Sequence, residues 1–193
     1  MMLLFLFLIG YCVGSISIGF IVARLKGISD IRAHGSGSSG ATNVARHLGI
    51  SYFFLIFFLD FFKAYFLIAL VQWYGLGDWH QCAMSMGLLI GNGYPLFLQF
   101  KGGKLVSTSC GIISAMNMQL MVPLCITWLI VFLQSRTVGF ASVVTFVVLP
   151  LYAVWFAHSL SMHFLTSSIC LLGLWLHRAN IRQLITKIAF VRR

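Results

Sequence analysis

Residues 50–74, ISYFFLIFFLDFFKAYFLIALVQWY, decide the fold class of this chain. A helix of about 20 apolar residues crosses the hydrocarbon core of a bilayer, and this stretch is longer than that. Its only charged residues are Asp60 and Lys63. Their i, i+3 spacing places them on one helix face, where we expect a structural ion pair rather than catalytic groups. The stretch predicts a membrane-spanning α-helix.

Four more apolar runs predict a polytopic membrane protein: residues 2–23, 82–98, 143–157 and 159–176. Hydrophobic residues make up 60% of the chain and charged residues 8%, whereas soluble domains carry about 25% charged residues. This composition excludes an ordinary soluble domain. The first run lacks the basic n-region of a signal peptide and is long enough to span, so we predict a retained helix.

The net charge of +10 is concentrated where the chain leaves the predicted spans. Twelve of the thirteen Lys and Arg residues lie within 24–46, 101–104, 136 and 178–193. Basic residues beside spans mark the cytoplasmic side and attract anionic lipid, so we expect membrane lipid as a partner and no nucleic acid. Residues 75–80 contain no Lys or Arg and should face outside. The N-terminus is then outside and the basic C-terminus cytoplasmic.

Residues 105–134 decide the number of spans, because termini on opposite sides require an odd number. This stretch is too long for one short helix and contains Pro123. Two short helices that meet near residues 117–123 give seven spans, with every basic cluster on one side; five spans are the alternative. We predict an all-α, polytopic integral membrane protein with seven transmembrane helices, some of them short, and a single domain over residues 1–193.

The five cysteines are scattered through apolar runs, with neither a CxxC pair nor a Cys/His cluster. We therefore predict no metal site and no disulfide framework. We expect the cysteines to act as buried small apolar side chains, and we expect no cofactor.

Residues 35–46, GSGSSGATNVAR, form the first candidate site. They contain a formal GxGxxG pattern, but no soluble strand precedes it, which argues against a dinucleotide-binding fold. Small residues let backbone N–H groups converge on an anion, and the Ser36 and Thr42 hydroxyls and the Asn43 amide add donors. Arg46 is able to bind a phosphate with two hydrogen bonds. The alternative is a flexible polar loop.

Residues 91–104, GNGYPLFLQFKGGK, form the second candidate site. The glycines do not have the spacing of a Walker A motif. Gly102 and Gly103 allow close backbone approach between two cations, Lys101 and Lys104, which favours a phosphate or an acyl phosphate. The alternative is a basic anchor at the cytoplasmic membrane surface.

The third candidate site lies in residues 177–182, HRANIR, where the last predicted span reaches the cytosol. On a helix His177 and Asn180 share a face at i, i+3, and such a pair is able to orient or deprotonate a hydroxyl. The alternative is a basic helix on the membrane surface. Ser142 lies near the same membrane face, where packing within a span is the simpler interpretation.

Together, and in this order, the motifs resemble the bacterial acyl-phosphate:glycerol-3-phosphate acyltransferases, the PlsY family. The resemblance runs nearly end to end. Its residues are Gly14-Ser15, Ala23 to Gly27, Asp30 to Arg32, Gly35 to Arg46, Asp60 and Lys63, Pro95 to Lys104, Ser142, and His177 to Ile181.

The resemblance implies transfer of an acyl chain from acyl phosphate to the sn-1 hydroxyl of glycerol 3-phosphate, giving lysophosphatidic acid and phosphate. It implies a seven-span bacterial inner-membrane enzyme that needs no metal or nucleotide and has its active site at the cytoplasmic face. We expect a monomer, and the enzyme that makes acyl phosphate is a further candidate partner.

The resemblance also assigns roles to individual residues. By this resemblance, phosphate is held by Ser36, Arg46, Lys104 and Ser142. The same pocket is supported by Thr42 and Asn43. The acyl-phosphate loop is shaped by Gly102 and Gly103, beside Lys101. Glycerol phosphate is oriented by His177 and Asn180. The base is His177 or the substrate's own phosphate.

Four positions depart from the family pattern: Asn92 replaces a His, Leu105 a Gly, Ser38 an Asn, and a Glu is missing after Leu184. These changes leave the main phosphate ligands in place and affect the expected loop geometry. The competing hypotheses are a transporter or channel for phosphorylated solutes and a non-catalytic divergent relative. A transporter needs polar residues through several spans, and the spans here are nearly all apolar.

Overall fold

The structure is a computed structural model that describes residues 1–182. The end of the basic tail and the position of the missing Glu after Leu184 lie outside the described residues. The chain divides into two compact units, Met1–Met116 and a second unit that begins at Asn117. The single-domain organisation stays a prediction.

Residues 1–182 form nine α-helices and two short 3-10 helices, with no strand among them, and residues 178–182, after the last of these helices, are also helical. The first unit contains α1 (Met2–Gly14), α2 (Ile18–Leu25), α3 (Ala41–Leu48), α4 (Ile50–Trp73), α5 (Asp78–Gly93) and α6 (Val106–Met116). The second contains α7 (Met118–Ser135), α8 (Val138–Phe156) and α9 (Leu160–Leu176). The predicted all-helical membrane fold is confirmed.

The first apolar run is broken into α1 and α2, a break that the sequence analysis did not predict. Lys63 of α4 donates from Nζ to Ile16 O at 2.9 Å, at the break, and to Asp60 Oδ1 at 2.8 Å. The Asp60–Lys63 ion pair is therefore present, and it also satisfies a carbonyl that the broken helix leaves open. Ser17, at the start of α2, donates from Oγ to Ser39 Oγ at 2.8 Å.

Glycines let α1 and α5 pack backbone against backbone. A Cβ on Gly10 would lie 2.3 Å from Met84 O, and one on Gly87 would lie 2.1 Å from Phe7 O. Small residues at helix contacts are the usual device for close packing in a membrane. A Cβ on Gly91 would lie 2.3 Å from Tyr11 O, so the contact extends to the end of α5, from which the second candidate loop departs.

The predicted junction within residues 105–134 is confirmed: α6 ends at Met116 and α7 begins at Met118. The break falls at Asn117 rather than at Pro123, which lies inside α7. The Asn117 side chain accepts from Leu120 N at 3.0 Å and donates to Phe156 O at 2.7 Å. It thereby caps α7 and joins it to the end of α8.

Four segments within residues 1–182 are long and apolar enough to cross a membrane: Met2–Leu25, Ile50–Trp73, Met118–Ser135 and Val138–Phe156. Four shorter helices accompany them, α3 with 8 residues, α5 with 16, α6 with 11 and α9 with 17. The seven-span count and the orientation of the termini stay predictions.

Candidate active site

The first candidate motif forms the glycine-serine loop, residues 34–40, which enters α3. Two of its glycines have positive φ, +56° at Gly35 and +70° at Gly37. Most residues with a Cβ avoid this left-handed region. Both glycines are therefore required for the conformation that turns the loop back onto α3.

Asn43 organises this loop from the first turn of α3, where it is buried. Its Oδ1 accepts from Ser36 N at 2.9 Å. Its Nδ2 lies within hydrogen-bond distance of three carbonyls, those of Ile31 (3.1 Å), His34 (3.0 Å) and Ser38 (2.9 Å). The Asn43 side chain thus accepts from one backbone N–H and shares its two N–H groups among three carbonyls, and it supports the pocket through the loop backbone.

The exposed side chains of the same motif are Ser36 and Arg46. The Ser36 and Ser38 hydroxyls lie 3.1 Å apart. Arg46 reaches back from the last turn of α3, since a Cβ on Gly35 would lie 3.8 Å from its Nη1. Thr42 is half-buried beside them. A hydroxyl and a guanidinium at the same loop suit an anionic ligand.

The second candidate motif forms the Lys-Gly-Gly-Lys loop, residues 94–105, which runs back along the end of α5. Gly102 N donates to Gly93 O at 3.2 Å, and Gly103 N donates to Asn92 O at 2.9 Å. A Cβ on Gly102 would lie only 2.2 Å from Asn92 O. Glycine is required because the two backbones touch.

The two loops are joined directly within the first unit, because Ser39 N donates to Gly102 O at 3.3 Å. Lys104 is half-buried in the second loop, whereas Lys101 is exposed. Burial lowers the pKa of the Lys104 ammonium, and the positive charge of Arg46 lowers it further. The positive charges of Arg46 and Lys104, both assigned to the predicted phosphate site, therefore repel each other. A bound anion would relieve this repulsion.

The departures from the family pattern occupy defined positions in these loops. Asn92 is buried, and its Oδ1 would lie 2.9 Å from a Cβ on Gly103. Leu105 has a φ of +67°, in the region that favours glycine, and its side chain is 1% exposed. Ser38 is buried beneath Ser36. Burial of a large apolar side chain offsets the backbone strain at Leu105.

The second unit places Ser142, His177 and Asn180 at one end of the α8–α9 pair. Ser142 Oγ donates to Val138 O at 3.0 Å and accepts from Trp128 Nε1 at 3.3 Å. Asn180 lies against the first turn of α8, because a Cβ on Gly139 would lie 2.0 Å from its Nδ2. The hydroxyl of Ser142 is buried and is held by its own unit.

His177 is 2% exposed, and its ring meets Phe146 edge-on with the ring centroids 5.6 Å apart. Its Nδ1 lies 2.9 Å from Gly173 O. A carbonyl only accepts hydrogen bonds, so Nδ1 carries the proton in the neutral ring. Nε2 then carries the lone pair, which is the form that a general base or a hydrogen-bond acceptor needs.

Two charged residues near these loops received no role from the sequence. The Arg32 guanidinium beside Asp30 holds the pKa of that carboxyl down to about 2. Arg32 Nη1 donates to the carbonyls of Leu98 and Lys101 in the Lys-Gly-Gly-Lys loop. No local pattern indicates this contact, because every residue has a carbonyl and the partners lie far apart in the chain.

Comparison with known proteins supports the predicted family. The sequence model of the family described as glycerol-3-phosphate acyltransferase matches residues 4–187. A protein named glycerol-3-phosphate acyltransferase from Aquifex aeolicus (strain VF5) is 38% identical over 95% of this chain and 95% of its own length. A protein of the same name from Prochlorococcus marinus (strain NATL1A) is 40% identical over 96% of this chain and 95% of its own length.

Two solved structures share the fold over most of their length. One is a crystal structure of PlsY, an integral membrane glycerol 3-phosphate acyltransferase, in its glycerol 3-phosphate form. It has a TM-score of 0.89 and 35% identity, and the match covers 96% of this chain and 92% of that one. The lysophosphatidic acid form gives a TM-score of 0.86 at 34% identity and the same coverage. The chain belongs to the PlsY family of glycerol-3-phosphate acyltransferases.

Proposed function

We propose that this protein transfers an acyl chain from acyl phosphate to the sn-1 hydroxyl of glycerol 3-phosphate. The products are lysophosphatidic acid and inorganic phosphate. Family membership supports acylation of glycerol 3-phosphate. The acyl-phosphate donor and the sn-1 position are finer assignments. They come from the resemblance and are supported by the chemistry of the two loops.

The single observation that carries the proposal is the direct joining of the two loops with their cations. Ser39 N donates to Gly102 O, and the positive charge of Arg46 contributes to the lowered pKa of Lys104. Both the donor and the acceptor substrate carry phosphate, so the site must offset the repulsion between two anions. Clustered Arg and Lys side chains do this at close range.

The reaction needs no nucleophile from the protein. Acyl phosphate is a mixed anhydride: the sn-1 oxygen forms a bond to the carbonyl carbon, and the bond from that carbon to the phosphate oxygen breaks. Negative charge develops on the carbonyl oxygen and on the departing phosphate. Fixed cations and N–H donors at the loops, including Arg46 and Lys104, stabilise that charge. The phosphate leaves as the second product.

The hydroxyl proton goes to His177 Nε2 or to the substrate's own phosphate. The tautomer that the Gly173 carbonyl imposes on His177 suits the first route. The only acids in the chain are Asp30, Asp60 and Asp78, and the first two are already paired with Arg32 and Lys63. A carboxylate base is therefore poorly supplied.

We place the site at the cytoplasmic face of a bacterial inner membrane, in a multi-pass protein. A lipid tail arrives from the bilayer and glycerol phosphate from water, so an interface serves both substrates. The basic residues beside the two loops support this orientation. The roles assigned to Ser36, Ser142 and Asn180 by the resemblance belong to the same proposal.

The test is a reconstituted assay. Purified protein in lipid receives acyl phosphate and glycerol 3-phosphate, and phosphate and lysophosphatidic acid are measured together. We expect equimolar formation of the two products, lost in Lys104→Ala while the protein stays inserted. Equal product from acyl-CoA alone would refute the donor assignment. No product at all from wild-type protein would refute the proposed activity.

A further inference from the structure

The Lys-Gly-Gly-Lys loop contains a strained turn. Gln99 and Phe100 follow one another with φ of +55° and +59°. Consecutive residues with side chains in the left-handed region are uncommon, and each has an energetic cost that the surrounding structure must offset. Something outside the turn must hold it in place ahead of Lys101.

Arg32 makes contacts on both sides of this turn. Its Nη1 donates to Leu98 O, just before the turn, and to Lys101 O at 3.4 Å, just after it. The loop's own hydrogen bonds also cross the turn, since Phe100 N donates to Pro95 O at 3.0 Å. One planar guanidinium thus bridges the two ends of a backbone turn that is unfavourable on its own.

Arg32 is itself held in position. Its Nε lies 2.9 Å from Asp30 Oδ1, and its Nη2 donates to Asp30 Oδ2 at 2.7 Å. Its guanidinium carbon lies 5.4 Å from the centre of the Phe20 ring, within the range of a cation–π contact. The Arg32 side chain is 15% exposed. The two-hydrogen-bond ion pair fixes the plane of the guanidinium as well as its place.

We propose that Arg32 is the positioning residue of the Lys-Gly-Gly-Lys loop, oriented by Asp30, and that it acts on acyl-phosphate binding without touching the substrate. The proposal rests on the function proposed above. A guanidinium has five N–H groups, and four of them already face Asp30 or the two loop carbonyls. That leaves little capacity for a phosphate.

The experiment compares Arg32→Gln with a matched control, Arg24→Gln. Both variants remove one positive charge, and Arg24 lies 5.8 Å from the centre of the same Phe20 ring. Within the described residues, however, Arg24 donates no hydrogen bond to the loop. Asp30→Asn provides a second, milder variant that keeps the Arg32 side chain, should Arg32→Gln fold poorly.

Two readouts are taken. Amide hydrogen exchange follows residues 100–103, whose N–H groups donate within the loop and to the end of α5. Steady-state kinetics follow the KM for each substrate. We expect faster exchange in Arg32→Gln and Asp30→Asn, and a KM for acyl phosphate raised by about tenfold with that for glycerol 3-phosphate within about twofold. Arg24→Gln should match wild type in both.

Other outcomes overturn the proposal. A raised KM with wild-type exchange means that Arg32 contacts acyl phosphate itself. Equal changes in both KM values, or a fall in kcat alone, mean a general structural role. Unchanged exchange together with unchanged kinetics excludes Arg32 as the positioning residue of the loop. If wild-type protein shows no activity, the proposed function fails while hydrogen exchange still tests whether Arg32 holds the loop.

Discussion

The glycine-serine loop of the first unit and the His177 segment of the second are held by different forces. The loop depends on one buried amide, that of Asn43, which accepts from Ser36 N and directs its two N–H groups to three nearby carbonyls. His177 and Asn180 instead follow a regular helix and lie against side chains or small residues of α8. Loss of the Asn43 side chain should therefore disrupt the conformation of the whole loop. A substitution at the helix end should instead displace only the residue that it contacts.

The largest expected effect is that of Asn43→Ala. The variant removes the amide from Ser36 N and Ser38 O, whereas the Ile31 and His34 carbonyls still accept from His34 N and Gly37 N. Because each buried backbone group left unpaired costs about 1–3 kcal/mol, we expect a loss of about 2 kcal/mol or more of unfolding free energy. Acyl transfer should fall by more than about 100-fold, because the loop that carries Ser36 loses its conformation. Thermal unfolding in detergent and initial rates in lipid measure the two effects.

Asn43→Asp is the matched variant for this prediction. It has nearly the same size and keeps an oxygen that accepts from Ser36 N, but it removes the donor that faces three carbonyls. We expect it to be almost as damaging as alanine, since a carboxylate repels carbonyl oxygens. A variant with wild-type activity in either form would show that the amide does not hold the loop.

A smaller, more local effect is expected from Gly139→Ala in the second unit. The added Cβ would lie 2.0 Å from Asn180 Nδ2 and must displace the end of that side chain. A flexible side chain moves at little cost, so the unfolding free energy should change by less than about 1 kcal/mol. We expect initial rates to fall by about tenfold if Asn180 orients a substrate.

The control is Gly77→Ala, since a Cβ on Gly77 would meet no atom within 4 Å. It should keep wild-type rates and stability. Wild-type rates in Gly139→Ala as well would argue against the role of Asn180. A large loss of stability in that variant would instead remove the contrast between the two regions, because the helix end would then also fail as a whole.

Three of the long apolar segments, Met2–Leu25, Ile50–Trp73 and Val138–Phe156, were predictable as candidate spans because each contains a long apolar run. The run 82–98 was predicted as one span, but α5 ends at Gly93 and residues 94–98 belong to the Lys-Gly-Gly-Lys loop. The junction near Asn117 followed from the parity of the charged ends. The break at residues 15–17 was missed because Gly and Ser are ordinary packing residues within a span, so Gly14-Ser15-Ile16-Ser17 does not by itself indicate a break. What stabilises the break is Lys63 Nζ on Ile16 O, and a contact between distant residues leaves no trace in the local pattern.

The residue types of the candidate site were predictable for a similar reason: few side chains suit a phosphate. The groups that each of these side chains contacts were not predictable. Asn43 carries donors that suit an anion, yet its amide is used on the loop backbone. Arg32 has the same chemistry as Arg46, but its contacts to Asp30 and to loop carbonyls direct it elsewhere. Only the fold shows which cation faces protein and which faces outward.

The smallest expected effect concerns the pH dependence of Lys104. Burial and the charge of Arg46 lower its pKa, so on raising the pH Lys104 loses its proton before an exposed lysine would. If its charge holds phosphate, kcat/KM should decline on the alkaline side at a pH below the ordinary lysine range. Initial rates measured against pH, corrected for spontaneous hydrolysis of acyl phosphate, give this limb.

Lys104→Arg identifies the group responsible, because a guanidinium stays protonated over the whole range. The variant should lose some activity through altered geometry, but its alkaline limb should move to higher pH. The same substitution at exposed Lys101 should leave the limb where it is in wild type. A limb that Lys104→Arg does not move would assign the titration to another group. The Arg46–Lys104 pair would then contribute to the shape of the loops rather than to the charge that acyl transfer needs.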